Sequence, residues 1–472
     1  MDLLTAEERR VEAARSFRHW PAFAATAAYI LISAIAIAHH EPWADEAQSW
    51  LLARDAGLWE LWTRLLHYEG TTGLWQTLLH LFIRAGLPYS GLDAISGVLG
   101  IAAASLVIWR APFPLSVRIV LPFSYFLCYQ YASIARSYDL LPVLVFACAA
   151  LFHRAWQRPL LFTALLCLMS AVSAHGMILA VSIGFAAMTR ADQWKRLWLY
   201  AFAFALIACV LAFTAWPAAD GTFVTHLDFS FEHFLETAGR ALAAAFTGET
   251  FTSLSVVALT VPLLWRGGGL LFFFLACSLL CGVYAVVYSQ VWHFGALFLA
   301  WVFALWISYE RSSAQRAATA ALVVVIAVQC YWTCCAVRYD WNQAYSGGQA
   351  AARGLRELDL ANRRLYAIGY ACVAIQPYFS RNIFSNWNDG RAPAYWDWSK
   401  RNHVNEDSLR LPLLRPDYVI VGYKNDFEKG VWTDLIKKGG YRKIRHFAGS
   451  SFWQTSVFEP ESFDLYRLDG GP

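Results

Sequence analysis

The chain has 472 residues, of which 58% are hydrophobic and 15% charged, with 38 Lys and Arg against 34 Asp and Glu. That apolar content excludes a soluble globular protein, and the length excludes a single-span one, which leaves a polytopic membrane protein. A net charge of +4 lacks the concentrated basic face that phosphate backbones require, so no nucleic-acid partner is expected.

In chain order, the first 20 residues set Arg9, Arg10, Arg15 and Arg18 beside Asp2, Glu7 and Glu8. This is a poor secretory signal, and the N-terminus is expected to stay cytoplasmic. Apolar runs then recur near 22–38, 73–86, 91–109, 113–132, 139–152, 159–173, 176–189, 196–216, 252–265, 268–288, 291–308 and 315–336. In lipid such runs are helices, because every backbone group must be paired within the segment. Cationic clusters at Arg110 to Arg118, Arg154 to Arg158, Arg190 to Arg196, Arg266 and Arg311 to Arg316 mark cytoplasmic turns. Working back from them, the first loop, Arg136, His175, the 217–250 loop and the C-terminal tail all fall outside. Twelve full crossings break this alternation, so either 73–86 does not cross or one boundary differs. About 11 to 13 spans are expected.

The nine residues Glu41 to Ser49, EPWADEAQS, follow the first run directly and set Asp45 and Glu46 at the membrane boundary between Trp43 and Trp50. Ionised groups there are costly to desolvate, so the cluster is either solvent-exposed among interfacial tryptophans or functional. The stretch from Asp45 to Gly70 alternates apolar residues with Arg54, Asp55, Glu60 and Arg64, which predicts amphipathic helices in the interface across an outer loop at 40–72. Further polar groups stand at the outer ends of apolar runs: Tyr131, Arg136 and Tyr138 in YASIARSYD, and His175 in SAHG. Arg136 either snorkels to the headgroups or binds an anion, and His175 is either a packing residue or a ligand contact. His67, Tyr68 and Glu69 close the first loop, His80 lies in the next run, and Trp292 and His293 begin a late one. All project to one face, as a site requires.

Nine of the ten cysteines lie in apolar segments and only Cys372 in the tail, so no disulfide framework or metal-ligand spacing is available. Past Arg338 no membrane-length run remains, and residues 337–472 read as a soluble domain, extracytoplasmic by the alternation above. Its runs LYAIG (Leu365 to Gly369) and YVIVG (Tyr418 to Gly422) predict buried strands. Helical patterns at 347–358 and 431–438 and a closing run at 463–468 complete a small α/β layer domain. Trp387, Tyr395, Trp396 and Trp398 there serve either as core aromatics or as platforms for sugar faces.

HEPWADEAQSWLLARD (His40 to Asp55), YEGTTGLW (Tyr68 to Trp75), IARSY (Ile134 to Tyr138) and AHG (Ala174 to Gly176) resemble, in order and spacing, the GT-C superfamily of lipid-linked glycosyltransferases. The likeness is to bacterial members related to the protein mannosyltransferase and aminoarabinose transferase families. It covers most of residues 22–336 and implies a transmembrane catalytic domain at 1–336. It also implies transfer of a hexose or pentose from a polyprenyl-phosphate donor to an envelope glycolipid, glycan or protein at the outer face of the inner membrane. In that superfamily the first acidic residue of the loop motif lies at the acceptor, which maps onto Asp45, a general base for an inverting displacement. Glu46 would orient it, touch substrate, or join it in holding Mg²⁺ or Mn²⁺, the only cofactor expected; two carboxylates fall short of the roughly six oxygens a hard cation wants. Arg136, His175 and Tyr138 are the candidates for the donor phosphate, and Trp43, His67, Tyr68, Glu69 and His293 for other substrate contacts. Relatives often carry Glu two residues before the arginine, where this chain has Ile134, so no second catalytic carboxylate comes from that segment. A membrane transporter is the alternative class, although no internal repeat supports it; a non-catalytic polysaccharide-assembly subunit is the other.

Overall fold

The computed structural model describes residues 6–190, 194–222, 230–402, 404, 409–423 and 425–470, with backbone only for 6–18, 194–196 and 426–428. Among these, six helices are long and apolar enough to cross a bilayer, or seven if one bent pair counts as a span. The protein is a helical multi-pass membrane protein with a small C-terminal sheet region.

Helix α1 (Ala6–His39) leads into α2 (Ala44–Asp55), then three short helical pieces, Leu58–Glu60, Leu61–Leu65 and Leu66–Glu69. Next comes α3 (Leu74–Arg84). Its 11 residues span only ~16 Å, about half of a hydrocarbon core, so the run at 73–86 does not reach across. Instead α3 packs on α2, with His80 Nδ1 2.8 Å from the Ala53 carbonyl. Helix α4 (Leu92–Arg110) follows. The run at 113–132 is broken into Leu115–Val120, Leu121–Phe123 and Phe126–Gln130. Pro122 lacks an amide hydrogen and cannot continue the helical ladder.

Helices α5 (Leu140–Leu151), α6 (Pro159–Ser170), α7 (Ala174–Met188) and α8 (Trp194–Thr214) continue the bundle. The stretch read as an outer loop at 217–250 contains α9 (Phe231–Phe246), bent 74° from α10 (Thr250–Gly267). Glu232, Glu236 and Arg240 dilute its hydropathy, while Thr237, Ala241 and Ala245 give it a buried stripe. Then come α11 (Leu270–Val286), α12 (Gly295–Tyr309) and α13 (Gln315–Asn342). Every residue of α12 is buried, as expected of a helix apolar on all sides at the bundle centre. At the end carrying Arg190, Arg266 and Arg311, the corner between α10 and α11 touches α12 closely: a Cβ on Gly269 would lie 2.7 Å from the Ala304 carbonyl oxygen. Arg190 closes that end by donating to the Gly267 and Gly268 carbonyls.

At the opposite end α13 runs almost directly into α14 (Gly348–Glu357) and the C-terminal domain. Its sheet has the order β1, β2, β6, β3, formed by Leu365–Ile368, Tyr418–Tyr423, Ser462–Leu468 and Tyr441–Phe447. β1 and β2 are parallel and the other pairs antiparallel; α15 (Asp426–Lys438) joins β2 to β3. Both runs read as strands from their β-branched, glycine-ended pattern are strands. A hairpin, β4 (Ser450–Trp453) with β5 (Ser456–Pro460), wedges between sheet and bundle. Phe452 stacks on Tyr339 at 4.4 Å and Trp453 meets Tyr125 at 5.3 Å. α2 is no free interfacial helix, because Ala44, Ala47, Leu51 and Leu52 are buried in one core with Ala351, Ile375 and Phe463 of the tail. The domain therefore clamps the first loop against the bundle.

Candidate active site

Asp45 and Glu46 occupy the first turn of α2, where the helix dipole favours negative charge. Consecutive helical residues point about 100° apart, and the two carboxylates part accordingly. Asp45 lies between Arg136 and the C-terminal domain's Tyr370, its side chain 22% exposed. Its Oδ2 accepts from Arg136 Nη1 at 2.6 Å and its Oδ1 from the Tyr370 hydroxyl at 3.0 Å. Tyr370 is set by the turn after β1, where Gly369 has φ +89° and a Cβ would collide with the Gly422 carbonyl; only glycine fits. Burial, then the Asp45 charge, holds the Tyr370 phenol well above its ordinary range, so the hydroxyl stays a donor.

Glu46 points inward and is fully buried. It accepts from the amides of Trp43 at 3.0 Å and Ala135 at 2.5 Å, and lies 3.2 Å from His40 Nε2. The other His40 nitrogen lies 3.1 Å from Asp340, which also accepts from the Tyr129 hydroxyl at 2.8 Å. Burial alone would discharge His40, but Glu46 and Asp340 outweigh it and raise its pKa well above the ordinary value. This network ties α1, α2, α13 and the Ala135 turn together, and the turn carries Arg136. Glu46 thus anchors the loop to the Ala135 turn from within the core. The pair does not converge on a shared point as a divalent-cation site would require, and no group of three His, Cys, Asp or Glu among the described residues could hold a metal ion.

The Arg136 guanidinium lies 5.6 Å from the ring centres of Trp43, Tyr138 and Trp292, a cage that favours a weakly hydrated planar cation. Behind it Tyr138 meets His175 at 5.8 Å and His293 at 5.5 Å, and the two imidazoles are 4.6 Å apart. His175 is held in the first turn of α7 by Ser173, whose hydroxyl caps the Gly176 amide at 3.2 Å. Neither of its ring nitrogens has a partner among the described residues. An unsatisfied buried polar group costs about 1–3 kcal/mol, and a ligand oxygen would relieve it.

The structure thus brings Asp45, Arg136, Tyr138, His175, His293 and Trp43 together and leaves two others aside. His67 Nδ1 lies 2.8 Å from the Trp216 carbonyl and the Tyr68 hydroxyl donates to Asp220 at 2.7 Å, so both fasten the loop after α8. Glu69 accepts from Gln48 at 2.8 Å; burial pushes its carboxyl up to about 7, against the pull of Gln48 and with help from the Asp45 charge. A folded-state value above that of free glutamate stabilises the fold below about pH 4.3, and this is lost as pH rises through 7. Glu69→Gln is therefore expected to melt higher than wild type at pH 8, with the difference shrinking towards pH 4; a thermal-shift series over pH checks it.

Tyr370, His40, Asp340, Gln48 and Trp292 had no assigned role in the sequence. His40 and Gln48 stand inside the motif His40 to Asp55, Trp292 adjoins His293, and Asp340 is a lone acid beyond the last apolar run; these were the signals available.

Fold and site define a class: a helical multi-pass membrane protein whose ion-paired carboxylate lies between a caged arginine and a small C-terminal sheet domain. A scan against protein-family models, a search of curated proteins and a search of solved structures each found no match.

Proposed function

We propose that the protein is a membrane glycosyltransferase of the GT-C type that moves a sugar from a polyprenyl-phosphate donor to an envelope acceptor at the outer face of the bacterial inner membrane. The observation that carries this reading is the Asp45–Arg136 pair at 2.6 Å, with a base on the cap side and a caged cation on the bundle side. A base and an anion-binding group side by side are what displacement of a phosphate from an anomeric carbon needs.

In this reading Asp45 accepts the acceptor's hydroxyl proton as its oxygen bonds to the anomeric carbon. The bond from that carbon to the phosphate oxygen breaks as the new one forms, with inversion, and the electron pair leaves on the polyprenyl phosphate. Arg136 has five N–H donors, so it can hold Asp45 and still meet the phosphate, with His175 adding a neutral donor. Tyr370 keeps the carboxylate oriented. Arginines gathered at the far end of the bundle, near Arg190 and Arg266, favour that end as cytoplasmic, which supports an extracytoplasmic site and cap.

Mass spectrometry of envelope glycolipids and glycans from a deletion strain tests the function. One sugar is expected to be missing, restored by the wild-type gene and not by Asp45→Asn. An unchanged glycan profile overturns the proposal.

A further inference from the structure

The C-terminal domain holds a cleft of about 460 Å³, within the range of small-ligand sites, which neither the Asp45 pair nor its cage lines. Trp387, Tyr395 and Trp396 are its buried floor, and Asn388, Asp389, Arg401 and Arg410 its exposed rim. A second compartment of about 240 Å³ shares Asn388, Tyr395 and Asp397 with it and runs on to Asp55, Glu60 and Arg64. The two form one elongated groove.

The chemistry of that groove selects among ligands. Acids and bases alternate along it, and two of its cations are already paired: Arg401 with Asp220 at 3.2 Å, and Arg64 with Glu60. Little positive charge remains for a phosphate or nucleotide. The floor is rigid, with Trp387 packed edge-on to Trp396 at 5.1 Å and Trp396 to Trp398 at 6.0 Å. The Trp387 indole N–H is buried with no partner among the described residues. An aromatic floor under a rim of carboxylates, amides and guanidinium groups suits a ligand with apolar C–H faces and hydroxyl edges.

The wall of the groove packs against the residues around Asp45. Gln48 of α2 exchanges hydrogen bonds with the Trp396 backbone, both at 2.9 Å. The Tyr370 ring lies 5.9 Å from Trp396 while its hydroxyl donates to Asp45. We propose that this groove binds a neutral oligosaccharide of at least two sugar units, part of the acceptor glycan. Its role as acceptor rests on the glycosyl-transfer reading; the binding itself does not.

Saturation-transfer-difference NMR on the full-length protein in lipid nanodiscs tests it, with di- to tetrasaccharides of glucose, galactose, mannose and N-acetylglucosamine as probes. At least one series is expected to bind, more tightly with length. Asp389→Asn, which tolerates the left-handed backbone at this position (φ +54°), should weaken binding at least fivefold. Arg410→Cys carrying a bulky polyethylene-glycol maleimide should abolish it. Asp45→Asn should bind the same probe as wild type; a glycan that binds wild-type protein showing no transfer activity would retain this site while removing the catalytic reading. The proposal is overturned if no probe binds, if the plugged variant binds normally, or if only inorganic phosphate or peptides bind.

Discussion

Asp45→Asn is expected to lower turnover by about 100- to 10,000-fold while leaving the protein folded. Asparagine keeps the size of the side chain and can still accept from Arg136 or Tyr370 through its carbonyl, so the local packing survives. It cannot take a proton from an acceptor hydroxyl. The substitution also frees Arg136 from its ionic partner at 2.6 Å, so donor binding should hold or tighten as turnover collapses. A fall in kcat with an unchanged or lower KM for donor would mark loss of a base; the opposite pattern would mark a lost binding contact. Near-normal turnover in purified Asp45→Asn, with an unchanged melting temperature, removes Asp45 from the chemistry.

Glu46→Ala should produce the largest loss of stability, on the order of 3–5 kcal/mol. It strips partners from two buried amides, Trp43 and Ala135, and from the raised-pKa His40. Because Ala135 precedes Arg136, the guanidinium should also lose its position, and activity should fall together with thermal stability. Glu46→Gln keeps one accepting oxygen and should recover part of both. Rescue by glutamine separates an anchoring residue from one that must ionise at the substrate. If Glu46→Ala melts and turns over like wild type, the network has no such role.

The sequence made some of this legible and hid the rest for physical reasons. The strands at Leu365–Ile368 and Tyr418–Tyr423 were visible because short β-branched runs closed by glycine are locally decisive. Asp45, Arg136, His175 and His293 could be placed at one end of the bundle by charge alternation alone. What they touch could not: Asp45 and Arg136 are 91 residues apart and Asp45 and Tyr370 are 325. Asp45 and Glu46 looked equivalent because a sequence does not display the helical rotation that sends one to Arg136 and Tyr370 and the other to the core. Helix Phe231–Phe246 was read as loop because its charges masked a narrow buried stripe. The run at 73–86 is apolar enough to pass for a span, but the charge alternation already offered that it does not cross, and its helix stops after 11 residues.

The amide of Ala44, which opens the helix bearing Asp45, is capped at 2.9 Å by Glu461, 417 residues further along the chain. At about 5–20 residues per second of synthesis, the first loop waits roughly 20–80 s for that cap to be made. Over that interval the carboxylates, the tryptophans around them and the inner face of α2 lack their cover. A chain that stops short of residue 461 leaves the Ala44 amide without this cap. A nascent chain held before residue 461 is therefore expected to be cut in the first loop more readily than the finished chain, which limited proteolysis of arrested chains checks.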